Sequence, residues 1–147
     1  MIICIDFDST LVDEWGRKFA DVTTPLKLMG GARKALQAMK AAGHVVLVSS
    51  ARANRALRID PELDPLVRSG VVKLDRAAWE AEQPLHEARC QQMVQFCATT
   101  LKGLVDAVDD GGQGKPVADV YIDDRALRFG GGVDGHNWFD IARQFGA

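Results

Sequence analysis

The chain lacks most of the features that would place it in a special class. Its three cysteines, Cys4, Cys90 and Cys97, are an odd number without a CxxC pair. Neither a disulfide framework nor a zinc site is expected, and the thiols read as buried and free. No apolar run approaches the roughly 20 residues that a membrane span needs. The opening Met1-Ile-Ile-Cys-Ile-Asp6 has no basic segment and meets an acid at once, unlike a secretory signal. A formal net charge of −2 supplies no electrostatic case for nucleic-acid or membrane surfaces. There is no internal repeat, low-complexity tract or linker. What remains is the reading of a cytosolic protein. Its 147 residues, 47% hydrophobic and 26% charged, form one domain (1–147) large enough for a core.

Against that plain background the first dozen residues stand out. A β-branched run, Ile2 to Ile5, ends in Asp6 and Asp8, with Thr10 following. Aspartate is disfavoured in strands and like charges repel, so two acids at a strand tip call for a counter-charge, and a hard divalent cation supplies one. An ordinary strand ending in an Asx turn is the plainer alternative.

The same grammar recurs downstream. Ala32, Ala35, Leu36, Met39 and Ala42 fall at helical spacing, and Gly43 stands where a helix C-cap glycine belongs. Val45-Val-Leu-Val48 is then a buried strand, and strand–helix–strand predicts a parallel sheet with a right-handed crossover. It ends in Ser49-Ser-Ala-Arg52, after which a weak helical pattern runs to Leu57. Pro61 and Pro65 bracket one or two helical turns, and Val71–Leu74 reads as a third strand. Pro84 suits the first turn of a long helix over Leu85–Val108, striped by Cys90, Val94, Cys97, Leu101, Leu104, Val105 and Val108. Asp109–Gly114 is a loop left through Lys115-Pro116. Ala118–Ile122 is the last strand, tipped by Asp123-Asp124. Residues 130–132 make a glycine turn, and Trp138–Phe145 a short terminal helix. Asp13–Thr24 reads as a loop or small hairpin in which Trp15 and Phe19 either line a substrate entrance or, by preference, pack. The histidines, His44, His86 and His136, have no metal-like spacing.

Three strands thus end in polar chemistry: Asp6/Asp8, Ser49/Ser50 and Asp123/Asp124. In an open parallel sheet, ligands bind beyond the carboxyl ends of the strands, where these tips and Lys115 can meet. In this order and context, Asp6-Phe-Asp-Ser-Thr10, Ser50 with Arg52, Lys115, and Asp123-Asp124 resemble the four motifs of the haloacid dehalogenase superfamily. The resemblance spans residues 2 to about 128. The tract Lys115-Pro-Val-Ala-Asp-Val-Tyr-Ile-Asp-Asp-Arg125 is similar to compact members such as the pyrimidine deoxynucleotidases.

The resemblance implies a Rossmann-like three-layer α/β/α sandwich with a mainly parallel central sheet. It also implies an Mg²⁺-dependent phosphatase working through an aspartyl-phosphate. Asp6 would be the nucleophile and Asp8 the proton carrier. Ser50 and Lys115 would complete the catalytic set by binding phosphoryl oxygens. Thr10, Ser49 and Arg52 would stand at the substrate, Arg52 either touching it or bracing the acids. Mg²⁺ would take Asp6, the backbone carbonyl of Asp8, Asp123 and Asp124. Ser50 equally suits a helix N-cap, Lys115 a solvated charge, and Asp124 an ion pair with Arg125 or Arg128. Asp8 favours ester hydrolysis over dehalogenation, since only a phosphate ester needs its leaving oxygen protonated. A receiver domain, with its acidic pair on the first strand and its nucleophile later, has the reverse order. A non-catalytic Mg²⁺-binding module is the second reading.

The gaps after the first and third strands are too short for a helical cap domain, so a capless or minimally capped, open site is expected. Such a site admits a nucleotide, a sugar phosphate or a macromolecular phosphate end, or is closed by a partner subunit such as a second copy.

Overall fold

The computed structural model describes residues 1–53, 60–112 and 114–125. It is a mixed α/β fold around a four-stranded, all-parallel sheet. In chain order the elements are β1 (Ile2–Asp6), α1 (Ala32–Ala41), β2 (Val45–Ser49), α2 (Pro65–Arg68), α3 (Arg76–Thr99), β3 (Ala107–Val108) and β4 (Val120–Ile122). Single 3-10 turns occur at Ala51–Ala53 and Pro61–Leu63. Strand order is β3-β2-β1-β4. The chain therefore walks outward from β1 to β2 to β3, then crosses back to the other side of β1. That reversal puts a switch point between β1 and β4, where open parallel sheets have their ligand crevice.

Register follows from which residues are buried. Ile3 pairs with Val46 and Ile5 with Val48, and all four are buried on one face. They join Leu36 of α1 and Met93, Phe96 and Cys97 of α3 in a single core cluster. A one-residue slip would turn Asp6 and Ser49 into that core and the apolar residues out, so the register is strongly fixed. The strand tips inherit this precision: Asp6 lies level with Ser49, and Asp123 follows Ile122 just as Asp6 follows its partner Ile5. Helix α1 ends as expected. The N–H of Gly43 donates to the Lys40 carbonyl at 3.0 Å and that of His44 to Met39 at 3.0 Å, the paired bonds of a Schellman cap. All three cysteines are buried and free.

Three expectations need correction. Val71–Leu74 is not a strand: Val71 and Val72 are 73% and 45% exposed, and the Val72 N–H bonds back to Leu66 of α2 instead of to a neighbouring strand. The long helix is displaced. It starts at Arg76, because the Asp75 carboxylate accepts the Ala78 N–H at 3.0 Å, and Pro84 lies inside it. It stops at Thr99, and Gly103 adopts φ +77° in the turn that follows. Leu101, Leu104, Val105 and Val108 still meet the core, but from a turn and from β3. The stripe holds in part: Val94 is 47% exposed, Met93 and Phe96 face the core beside Cys90 and Cys97, and the latter half is not helical. Finally, Trp15 does not pack: it is 95% exposed, whereas Phe19 is 46% exposed between His86 and the Arg89 guanidinium.

The last strand is shorter than expected because Asp119 is used as a clamp, accepting the Ile2 N–H at 2.6 Å. Leu57, Arg128, the 130–132 turn, His136 and the Trp138–Phe145 helix lie outside the described residues. Among the described residues no helix is long and apolar enough to cross a membrane.

Gly43 has φ +78° with open space where a Cβ would stand, so only backbone strain opposes a side chain there. Gly43→Ala is expected to lower stability by about 1 kcal/mol, read by urea denaturation at unchanged m-value.

Candidate active site

Each strand tip reaches the crevice by a different local device. After β1, Phe7 is fully buried and its carbonyl accepts the N–H groups of Thr10, Leu11 and Val12 at 3.4, 3.0 and 3.0 Å. The Ser9 N–H donates to Val12 at 3.0 Å, with Ser9 itself left-handed at φ +60°. Residues two apart share a face of a strand, and this tight turn keeps Asp8 at the same cavity as Asp6 after the strand has ended. Thr10 Oγ1 donates to Asp6 Oδ2 at 3.3 Å, so Thr10 braces the first acid.

After β2, the Ser50 hydroxyl accepts the Arg52 N–H at 3.2 Å and its carbonyl accepts Ala53 at 3.1 Å. The capping role is thus present while Ser50 also lines the cavity. Ser49 Oγ donates to Asp109 Oδ2 at 3.2 Å. After β4, Asp123 Oδ1 accepts the Arg125 N–H at 2.8 Å, and Asp124 lies 3.9 Å from a largely exposed Arg125.

The resulting cavity holds about 560 Å³, within the range of small-ligand sites. Asp6, Asp8, Ser49, Ser50, Lys115 and Asp123 all line it. Carboxylate oxygens of Asp6, Asp123 and Asp124 lie within 4.8 Å of one another. Three hard oxygen donors at that spacing, open to water on one side, fit a partly hydrated Mg²⁺. The Asp8 carboxylate stands outside this trio, gripped by Arg52 with Nη2 to Oδ1 at 2.6 Å.

Electrostatics agree with the geometry. Burial pushes Asp6 up to about 6, with the charges of Asp123, Asp8 and Asp124 adding to the rise and a backbone N–H bond at Phe7 opposing it. Lys115 does not neutralise this cluster. Its ammonium stands 3.9 Å from the centroid of the Tyr121 ring, and it makes no ion pair with Asp6 among the described residues. Its charge is felt instead at Cys4, whose thiol is raised by burial and by Asp109 and lowered by Lys115. Arg52 is 4% exposed and does not line the cavity.

The sequence pattern does not single out Asp109 or Tyr121, which also line the cavity. Asp109 follows β3, its N–H bonded to the Val48 carbonyl at 2.7 Å and its side chain in the cavity. Ala107-Val-Asp109 repeats the apolar-then-acid pattern of Ile5-Asp6, but β3 is only two residues long and was hidden in the helical stripe. Tyr121 was likewise unassigned, and it both carries Lys115 and donates its hydroxyl proton to the Pro116 carbonyl. His44 contacts the N-terminal amine and His86 faces Glu82, so neither belongs to the site.

No protein-family model, curated protein or solved structure matches this chain.

The crowding of acids gives a signed pH dependence. Asp6 binds its proton more tightly folded than unfolded, so its contribution is greatest below about pH 4 and is lost as pH rises through about 6. Other carboxylates titrate in the same range, so the observable is a difference between variants. In EDTA the thermal midpoint of Asp6→Asn should equal that of wild type near pH 4. It should exceed wild type by about 2–4 °C at pH 7, or about 1 kcal/mol after allowance for solvent screening. Millimolar Mg²⁺ should raise the wild-type midpoint and leave that of Asp6→Asn nearly unmoved. Scanning calorimetry across this range checks both.

Proposed function

We propose that this chain is an Mg²⁺-dependent phosphomonoester hydrolase with a haloacid dehalogenase-like site on a Rossmann-like three-layer domain. The observation that carries the reading is the convergence, at the switch point of a parallel sheet, of Asp6, Ser50 and Asp123 from three separate strand tips on one cavity.

The roles proposed for the residues are those the resemblance implies, and their gathering around one cavity supports them. An Asp6 carboxylate oxygen attacks phosphorus in line with the ester oxygen, forming a P–O bond to Asp6 as the ester P–O bond breaks. Asp8 gives its proton to the departing alcohol oxygen. Asp8 then takes a proton from water, the water oxygen attacks phosphorus, and inorganic phosphate leaves Asp6 free. Ser50 and Ser49 meet the phosphoryl oxygens, and Lys115 brings positive charge to the same cavity. Held by Asp6, Asp123 and Asp124, Mg²⁺ supplies neutralisation of the gathered negative charge when bound. Phosphoryl transfer needs positioning and electrostatics more than covalent machinery, and the cavity offers both.

The test uses purified protein with p-nitrophenyl phosphate. Turnover is expected with Mg²⁺ and lost in EDTA, and Asp6→Asn should lower kcat by at least about a thousandfold. Absence of turnover across a broad phosphomonoester panel, with Mg²⁺ binding retained, would instead favour the non-catalytic Mg²⁺-binding module. A screen of nucleotides against sugar phosphates then identifies the substrate class.

A further inference from the structure

Arg52 is the one buried charged residue among the described residues. Taking a guanidinium out of water costs several kcal/mol unless its donors are all met. Here they are. Nε donates to Asp8 Oδ1 and Oδ2 at 3.0 and 3.1 Å, and Nη2 donates to Asp8 Oδ1 at 2.6 Å and to Glu14 Oε1 at 3.1 Å. Nη1 donates to the Arg89 carbonyl at 3.2 Å and to Gln92 Oε1 at 3.1 Å. The Phe7 ring lies beneath the guanidinium, its centroid 5.1 Å from Cζ. An arginine has five N–H donors, and every one is engaged inside the protein, so none is left for a substrate.

The partners come from separate parts of the chain: the turn after β1, the loop after it, and α3. Those parts are themselves tied down. The Gln92 amide donates to the Val22 and Thr24 carbonyls at 3.5 and 3.3 Å, and Arg17 Nε stands 3.5 Å from the same Glu14 oxygen. A residue needed only to fill this space could be apolar at lower cost. Of the groups Arg52 binds, only Asp8 faces the cavity. The grip is also unequal. Oδ1 takes both short bonds, and Oδ2 takes one bond of 3.1 Å.

We propose that Arg52 is a positioning residue that fixes the rotation of the Asp8 carboxyl group and leaves Oδ2 as the oxygen open to the leaving group, without touching substrate. This rests on the reading of Asp8 as the proton carrier. It replaces a direct substrate contact for Arg52 with an indirect one.

The leaving group provides a readout that a merely structural role would not move. With Mg²⁺, kcat and KM are measured for p-nitrophenyl phosphate, whose leaving group departs as a stable anion, and for phenyl phosphate, whose leaving group needs a proton. Arg52→Lys keeps the charge and loses the fork. It is expected to lower kcat for phenyl phosphate about tenfold or more beyond its effect on p-nitrophenyl phosphate, with KM within about twofold. Asp8→Asn should give the same skew, and the double variant should add little to it. Equal losses on the two esters would overturn the proposal, as would a raised KM at unchanged kcat. If Arg52→Lys fails to fold, Glu14→Gln and Gln92→Leu loosen the fork without removing it. They are expected to skew in the same direction, and an unskewed result from both would sink the idea. Failure of wild type to hydrolyse either ester overturns the functional reading itself, an outcome distinct from an unskewed Arg52→Lys.

Discussion

Mutual repulsion among carboxylates at the end of β1 is the constraint that the remaining structure answers. Asp6, Asp123 and Asp124 have oxygens within 4.8 Å of one another, and Asp8 adds to the same field. Locally only hydrogen bonds from Thr10, the Phe7 backbone and the Arg125 backbone ease that gathering. It is held by the apolar face behind it, where Ile3, Ile5, Val46 and Val48 lock the register against α1 and α3. Core packing therefore holds in place an electrostatic strain at the tip, the usual relation between a scaffold and a destabilised site.

How the chain distributes its cations makes the point sharper. Asp106, on the far side of β2, is met at 2.6 Å by Lys40 and also accepts the Val46 N–H, and these bonds hold its carboxyl below the usual range. Asp8 has Arg52. Lys115, which shares the cavity, rests on Tyr121. Asp106 and Asp8 thus carry their own counter-charges, whereas among the described residues the trio at the β1/β4 switch point meets no lysine, and only Arg125, largely exposed, lies within 3.9 Å of Asp124. An acid cluster of purely structural purpose would be expected to look like Asp106. This one differs, and on the proposed reading its all-oxygen donor set would take a hard cation.

How much of this was legible in the sequence depended on whether a signal was local. Strand tips were readable because an apolar run followed by an acid or a serine pair needs no knowledge of distant residues. Asp6, Ser49, Ser50 and Asp123 were found in that way, and Gly43 was found from cap chemistry. Element boundaries that tertiary pairing decides were not readable. Val71-Val72 has strand composition, but among the described residues no strand pairs with it and its Val72 N–H goes to Leu66. Ala107-Val108 carries helical periodicity, yet hydrogen-bonds to β2, and Asp109 was lost with it. Arg52 was visible as a residue, but its partners lie 37 to 44 positions away in sequence, and no spacing rule reaches that far. Trp15 failed for the opposite reason: the preference of aromatics for packing is statistical, and this ring stands on a loop whose anchors are polar.

Those polar anchors bear on how a substrate would be chosen. The segment between β1 and α1 contains no helix, so it cannot close over the cavity as a folded cap does. Nor is it free to swing. Arg17 donates to the carbonyls of Asp21, Thr24 and Pro25, while Gln92 and Arg89 hold the segment to α3. Of this segment only Asp8 lines the cavity, so the segment itself offers few groups to a substrate. On the proposed reading, the phosphate end of a substrate is handled by Asp6, Asp8 and the serines. Selectivity for the other end then falls to the remaining lining residues, among them Asp109, Cys4 and Tyr121. Asp109 already accepts the Ser49 hydroxyl and the Gly111 N–H, so a substrate hydroxyl placed there would have to compete with bonds that exist. Recognition by hydrogen bonding there would reject analogues lacking the right donor more strongly than apolar contact would, because a half-buried carboxylate left without its partner is costly.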